Sequence, residues 1–388
     1  MADGQDNGST ENGAAAASEK FFVQAPSLAL PKGGGAIRSI GEKFTSNPVT
    51  GSGALAVPIT TSPGRSGFTP QLSLSYDSGS GNGPFGLGWS LSLPSIIRRT
   101  DKGLPRYQDE KESDTFILSG AEDLVPVLVQ DGAGQWVRET VPPRDGYTIT
   151  RYRPRIEGLF ARIERWTRPS DGDTYWRSIS KDNVTTLYGR TSESRIADPA
   201  DSTKIFSWLI CQSQDDKGNA IVYSYAAEDS SNVDLSQANE RNRSASGRGT
   251  NRYLTRVKYG NEQSLLIQPD ITQLSWLFEV VFDYGEGYFQ PAAPDADGRV
   301  FAAASLTPSG TWPARQDPFS HHRSCFEVRT YRLCQRVLMF HHFDAELAVP
   351  DCLVRCTEFS YQPNPIATVM TAVTQSGYAL QPGGYLQA

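Results

Sequence analysis

The stretch that most limits what this chain can fold into runs from residue 70 to residue 94. Residues 70–76 alternate apolar and polar groups, with Leu72, Leu74 and Tyr76 on one side, which is the period of a half-buried β-strand. Residues 78–83 are then glycine and serine with one asparagine, a turn chemistry suited to positive φ or close backbone approach. In Pro84-Phe85-Gly86-Leu87-Gly88-Trp89-Ser90-Leu91-Ser92-Leu93-Pro94 the large groups all occupy odd positions. Read as one strand, the segment carries an apolar face backed by Gly86, Gly88, Ser90 and Ser92, against which a second backbone can press. Gly83, Pro84, Phe85, Gly86, Gly88 and Trp89 therefore stand out as an architectural signature, with Trp89 expected in the core. None of them supplies catalytic chemistry.

Further motifs flank the signature. Leu30-Pro31-Lys32-Gly33-Gly34-Gly35-Ala36-Ile37 and Gly41-Glu42-Lys43-Phe44 precede it. Gly51-Ser52-Gly53, Pro58-Ile59 and Arg65-Ser66-Gly67-Phe68-Thr69-Pro70 lead into it, and Ile97-Arg98-Arg99-Thr100 follows. In this order the segments resemble the SpvB domain. That family is named for a Salmonella virulence plasmid protein and also begins the B component of insecticidal Tc toxin complexes. The resemblance continues more loosely to Gln375-Ser376-Gly377-Tyr378. It implies a mainly β module of many short antiparallel strands, sandwich-like or shell-like, related to the Rhs and Tc-toxin B shells that enclose an effector. It also implies partners, the A-type translocation and C-type Rhs subunits of a Tc-like toxin. On this reading residues 1–26 form a disordered arm, 27–378 the β module with a sub-boundary near 150, and 379–388 a tail.

The residues beyond the signature agree with a β module. Gly 35, Pro 25, Tyr 16, Phe 17 and Trp 7 favour strands and turns. Strand-like segments recur at 115–118, 123–130, 136–140, 147–153, 160–166, 175–180, 185–189, 206–215 and 220–226. Asp215-Asp216-Lys217-Gly218-Asn219 reads as a compact hairpin turn, with Gly218 and Asn219 suited to positive φ. Residues 329–343 read as strand, whereas 228–251 and 291–312 read as exposed loops. The net charge of -6 leaves no electrostatic footprint for nucleic acid. Arg151, Arg153, Arg155, Arg162, Arg165 and Arg168 form a local basic cluster that reads as the solvated face of strands. No stretch approaches the ~20 apolar residues of a membrane helix. The first residues lack the positive and apolar regions of a secretory signal, so the expected location is cytoplasmic before release, or extracellular by a non-Sec route.

Catalytic and metal-binding patterns are poorly matched. Some SpvB-type proteins carry an ADP-ribosyltransferase domain, and such domains resemble one another in an Arg, a Ser-Thr-Ser strand and a closing Glu-x-Glu. Here Glu110-Lys-Glu112 follows no such strand, and Ser202-Thr203-Lys204 precedes no acidic pair. There is no Gly-x-Ser-x-Gly elbow, and Gly33-Gly34-Gly35 lacks the Gly-Lys-Ser/Thr of a phosphate loop. Cys211, Cys325, Cys334, Cys352 and Cys356 are odd in number and unevenly spaced, a poor disulfide framework. With His321, His322, His341 and His342 they also suggest a metal, but paired histidines on a strand point to opposite faces. Buried thiols and surface histidines are the expectation, with no cofactor or metal. Asp171-Gly172-Asp173 and Asp283 with Gly285 read as ordinary turns rather than calcium sites. The alternative function is surface or carbohydrate binding through Trp136, Trp166 or Trp176.

Overall fold

A computed structural model describes residues 43–47, 51–119, 123–139, 141–156, 158–347 and 349–388. The arm expected at 1–26 and the motif at 30–37 lie outside these residues. The structure is mainly β, and every strand pairing in its two principal bodies is antiparallel.

The first body is a closed ring of eight strands. Ser95–Arg98 pairs with Phe116–Leu118, then Asp123–Pro126, Tyr147–Pro154, Arg162–Thr167, Thr174–Ile179, Thr185–Tyr188 and Asp201–Gln214. The last strand returns to the first through Ser207↔Ile97, Trp208↔Ile96 and Leu209↔Ser95. Closure removes the free edges that an open sheet must protect. Inward positions fall in register, as in Leu118↔Ile96↔Trp208 and Arg165↔Trp176↔Tyr188↔Ile210. Phe116, Tyr152, Trp176 and Trp208 fill the interior, with Trp176 lying 5.0 Å from both Phe116 and Tyr152. Arg98 is 1 % exposed at one end, bound to Asp109 at 2.5 Å, Asp114 at 2.7 Å and the Ile205 carbonyl at 2.7 Å.

The second body is an open sheet that grows from the same strand. Gln212, Ser213 and Gln214 pair with Ala220–Ala227. The order then runs Arg252–Asn261, Trp276–Asp283, Arg336–His341, Cys352–Gln362, Val369–Gln381, Gly384–Gln387, Phe301–Ala304 and Phe289–Pro291. One apolar cluster spans both bodies, from Ile96 and Trp176 through Val257 and Phe282 to Phe359. A smaller sheet of Lys43–Asn47, Ser52–Ile59, Leu72–Asp77 and Trp89–Leu91 completes the N-terminal part.

Several sequence expectations need correction. Residues 84–94 are not one strand: Gly86–Leu87 and Trp89–Leu91 are separate pieces, because the backbone turns with positive φ at Gly86 and Gly88. Thr150 lies inside a strand paired on both edges, so the chain is not divided there. Residues 291–312 include Phe301–Ala304, which pairs with Gly384–Gln387 of the supposed tail. Loop and tail therefore complete each other's hydrogen bonds, a pairing that their proline and glycine content hides. Of the turn pair only Gly218 has positive φ, while Asn219 donates Nδ2–H to Asp215 Oδ2 at 2.7 Å. Arg165 is 9 % exposed on the barrel's inner face, so the basic cluster is only partly solvated.

Candidate functional site at the docked signature

Residues 82–88 reach across to the open sheet and are fixed there around Asp317. Asp317 Oδ1 accepts from Arg315 Nε at 2.8 Å and Thr368 Oγ1 at 2.7 Å. Its Oδ2 accepts from Asn82 Nδ2 at 2.7 Å, Arg315 Nη2 at 2.9 Å and the Thr368 backbone N–H at 2.6 Å. Arg315 also donates to the Gly83 carbonyl and to Asn82 Oδ1, each at 2.8 Å. Burial pushes the Asp317 carboxyl up, but the hydrogen bonds from Arg315, Thr368 and Asn82 outweigh it and hold the group well below its ordinary range. The carboxylate therefore stays charged and fully engaged, as a structural clamp.

The signature residues occupy the jaws of this clamp. The Pro84 carbonyl accepts from the Cys334 N–H, and the Leu87 N–H donates to the Thr368 carbonyl, both at 2.8 Å. Phe85 is buried edge-on against Phe359 at 5.8 Å. Gly86 has φ +90°, and a Cβ there would stand 2.9 Å from the Thr368 carbonyl oxygen. Gly88 has φ +79°, and a Cβ there would stand 2.5 Å from the Tyr76 ring. Any other residue at either place is strained in its backbone and crowded in its side chain. Trp89 is half-buried against Tyr76 at 5.2 Å, not fully in the core, and Leu87 is 40 % exposed. The two turns swing alternate side chains out of the common face that a straight strand would have given them.

A second cluster comes from the segment read as an exposed loop. Residues 228–251 place Glu228 and Glu240 inside the molecule, 4 % and 3 % exposed. Arg332 Nε donates to both Glu228 oxygens at 3.0 and 2.9 Å, and its Nη1 to the carbonyls of Ser231, Trp312 and Pro313. Glu240 accepts from Arg329 at 2.7 Å and from the Tyr331 hydroxyl at 2.5 Å. The loop is thus polar because it delivers counter-charges to buried arginines. Sequence reading missed Arg315, Asp317, Thr368, Glu228 and Arg332. Only the Arg315-x-Asp317 spacing carried a local signal.

The remaining candidates do not converge. Trp136 is 66 % exposed, but Trp166 and Trp176 are 2 % and 0 % exposed, so neither can serve as a platform for sugars. Trp166 stacks on Tyr175 at 5.6 Å under the Arg177 guanidinium, and its indole N–H donates to Glu164 at 2.9 Å. All five cysteines are free thiols; Cys211, Cys334, Cys352 and Cys356 are buried, and Cys325 is exposed. Burial pushes the Cys356 thiol up to about 12. The histidines are not all superficial: His341 contacts Ser62 Oγ at 2.6 Å, and His342 lies 2.9 Å from Asp351. Among the described residues no three His, Cys, Asp or Glu side chains gather as a metal site. Glu112 pairs with Arg138, Asp171 with Arg168, Asp173 with Arg195, and Asp283 with Arg336. Ser202 and Thr203 line a polar cleft beside Arg168 and Arg195. No helix among the described residues is long and apolar enough to cross a membrane.

A family model described as Salmonella virulence plasmid 65kDa B protein matches residues 47–343. The chain belongs to the SpvB family. Mono(ADP-ribosyl)transferase SpvB of Salmonella typhimurium (strain 14028s / SGSC 2262) is 40% identical over 367 residues, 92% of this chain, and its namesake from Salmonella dublin matches equally. The chain spans 58% of the length of these SpvB relatives. The N-terminal domain of effector protein SpvB from Salmonella typhimurium strain LT2 superposes with TM-score 0.70 at 38% identity, over 83% of this chain and 100% of that one. TcdB2-TccC3 gives TM-score 0.74 at 33% identity, over 94% of this chain and 17% of that one. The Photorhabdus luminescens Tc holotoxin pore gives 0.75 at 34% identity, over 95% and 17%. The SpvB-family fold thus recurs as a small part of much longer Tc toxin chains.

Proposed function

We propose that this chain is a non-catalytic structural module of a Tc-like toxin, helping to form or cap the β shell that encloses and delivers an effector. The observation that carries the reading is the match of 95% of the chain to part of a Tc holotoxin component at TM-score 0.75. The docked signature supports it: its buried polar groups are spent on one another, and its glycines set the spacing between two backbones. A module of this kind continues into a larger assembly through the free strand edges of its open sheet. Its partners are then the A-type translocation and C-type Rhs subunits. The working module runs from residue 27 through the strand Gly384–Gln387, which pairs with Phe301–Ala304.

The test mixes the purified chain with Tc-like A and C components and follows co-elution by gel filtration. In parallel, the chain alone is incubated with labelled NAD and actin. Co-elution without transfer of label is expected. Label on actin overturns the non-catalytic reading, and elution apart from every component overturns the assembly reading.

A further inference from the structure

We propose that Arg252 anchors a binding site for a carboxylate carried beside a bulky apolar group, as at the C-terminal residue of a peptide. Arg252 opens the strand Arg252–Asn261 and is half-buried. Its Nη1 donates to the carbonyls of Gly249, Thr250 and Asn251 at 3.0, 3.1 and 3.0 Å. Its Nε is buried without an acceptor, and no carboxylate among the described residues reaches ion-pair distance. Arg98, Arg315 and Arg332 are each bound to an aspartate or glutamate. Burial lowers the Arg252 pKa, opposed only by the more distant Glu193.

Two clefts share this side chain. One, of about 380 Å³, is polar; Arg168 and Arg195 are paired there with Asp171 and Asp173, and Arg252 is the arginine among its described lining residues with no carboxylate at ion-pair distance. Asp198 also lines this cleft, so a ligand with one negative charge is favoured over a dianion. The other cleft, of about 290 Å³, is apolar and walled by Phe85, Leu91, Leu93, Tyr225, Leu254 and Tyr284. That is below the roughly 300–1,000 Å³ of pockets for drug-sized ligands, and suits one large side chain. A guanidinium N–H makes a charge-assisted hydrogen bond to a carboxylate, and with Nη1 committed to three carbonyls the Nη2 group is the one left to make it. The inference stands apart from the assembly reading, since it concerns a ligand and not a shell contact.

The experiment is isothermal titration calorimetry of the full 388-residue chain with N-acetylphenylalanine, its uncharged amide and inorganic phosphate. The acid is expected to bind saturably, and the amide and phosphate about tenfold more weakly or worse, as loss of a charge-assisted hydrogen bond dictates. Arg252→Gln should weaken the acid by a similar factor. Because Arg252 also ties down three carbonyls, Ser90→Phe at the exposed rim of the apolar cleft serves as a second variant. It should abolish acid binding with the melting temperature unchanged. Equal affinity for acid and amide, phosphate binding as tight as the acid, no saturable binding, or affinity untouched by both variants each overturns the proposal.

Discussion

The barrel and the open sheet use different means to fill their interiors. The barrel closes on itself and packs rings against rings from the strands that form it, and Arg98, buried at one end, is met by Asp109 and Asp114 from the loop joining its first two strands. The open sheet has no such closure. It is held by the buried pair of Arg332 with Glu228, 104 residues apart, and by the local Arg315–Asp317 pair, which grips Asn82 of the docked signature and Thr368 from far along the chain. A closed body can be specified strand by strand, whereas an open one needs partners from elsewhere.

The largest expected effect falls on the barrel. Trp208 is fully buried, and its indole N–H donates to the Thr174 carbonyl at 2.9 Å. Trp208→Ala should cost about 3–5 kcal/mol in urea unfolding. A loss below about 1 kcal/mol would show that the ring interior is not what holds the barrel. For the open sheet, Glu228→Ala leaves Arg332 buried with only the half-exposed Asp229 as carboxylate partner and should cost roughly 3 kcal/mol. If it proves neutral in the same measurement, the contrast between ring packing and ion pairing fails.

Gly86→Val combines strain at positive φ with a clash at Thr368, and about 2 kcal/mol is expected. The loss should come with faster hydrogen exchange at Leu87 and Cys334, whose N–H groups join the signature to the sheet. Unchanged exchange at both would detach the signature from the sheet's stability.

The smallest effect is set by pH. Glu286 is 5 % exposed, and burial, with the Asp283 charge adding to it, pushes its carboxyl from 4.5 up to about 7. The folded state then holds a proton that the unfolded state has released. This contribution to stability is complete below pH 4.5, falls as pH rises to about 7, and stays flat above. Glu286→Gln should remove that slope, gaining on the order of 1–2 kcal/mol over the native chain at pH 8. Parallel pH profiles for the two proteins would discard this account.

The same contrast explains what the sequence made legible. Alternation at 147–153, 175–180 and 206–215 exposes the barrel strands, because a strand with one buried face writes its burial into every second residue. Glu228 and Glu240 are hidden, because a carboxylate destined for a buried arginine looks the same as one destined for water. Arg332 and Glu228 are 104 residues apart, and no local period reaches that far. The signature itself was visible as glycine alternating with large apolar groups, but its two turns were not. A residue at positive φ and a glycine inside a strand are spelled alike.

The clamp also fixes an order in time. Asn82 is 235 residues from Asp317, and Asp317 a further 51 from Thr368. A ribosome therefore releases the signature long before the groups that grip it exist. Barrel closure, which waits only for Trp208 to meet Ile96, can come first. Pairings of such long separation form slowly, and apolar groups left waiting invite aggregation. Phe85, whose edge-on partner is Phe359, must pass that interval without it. The run of glycine and serine at 78–83 keeps the segment short of large apolar neighbours on one side while it waits. Among the most recognisable parts of this chain, the segment made nearly first is completed nearly last.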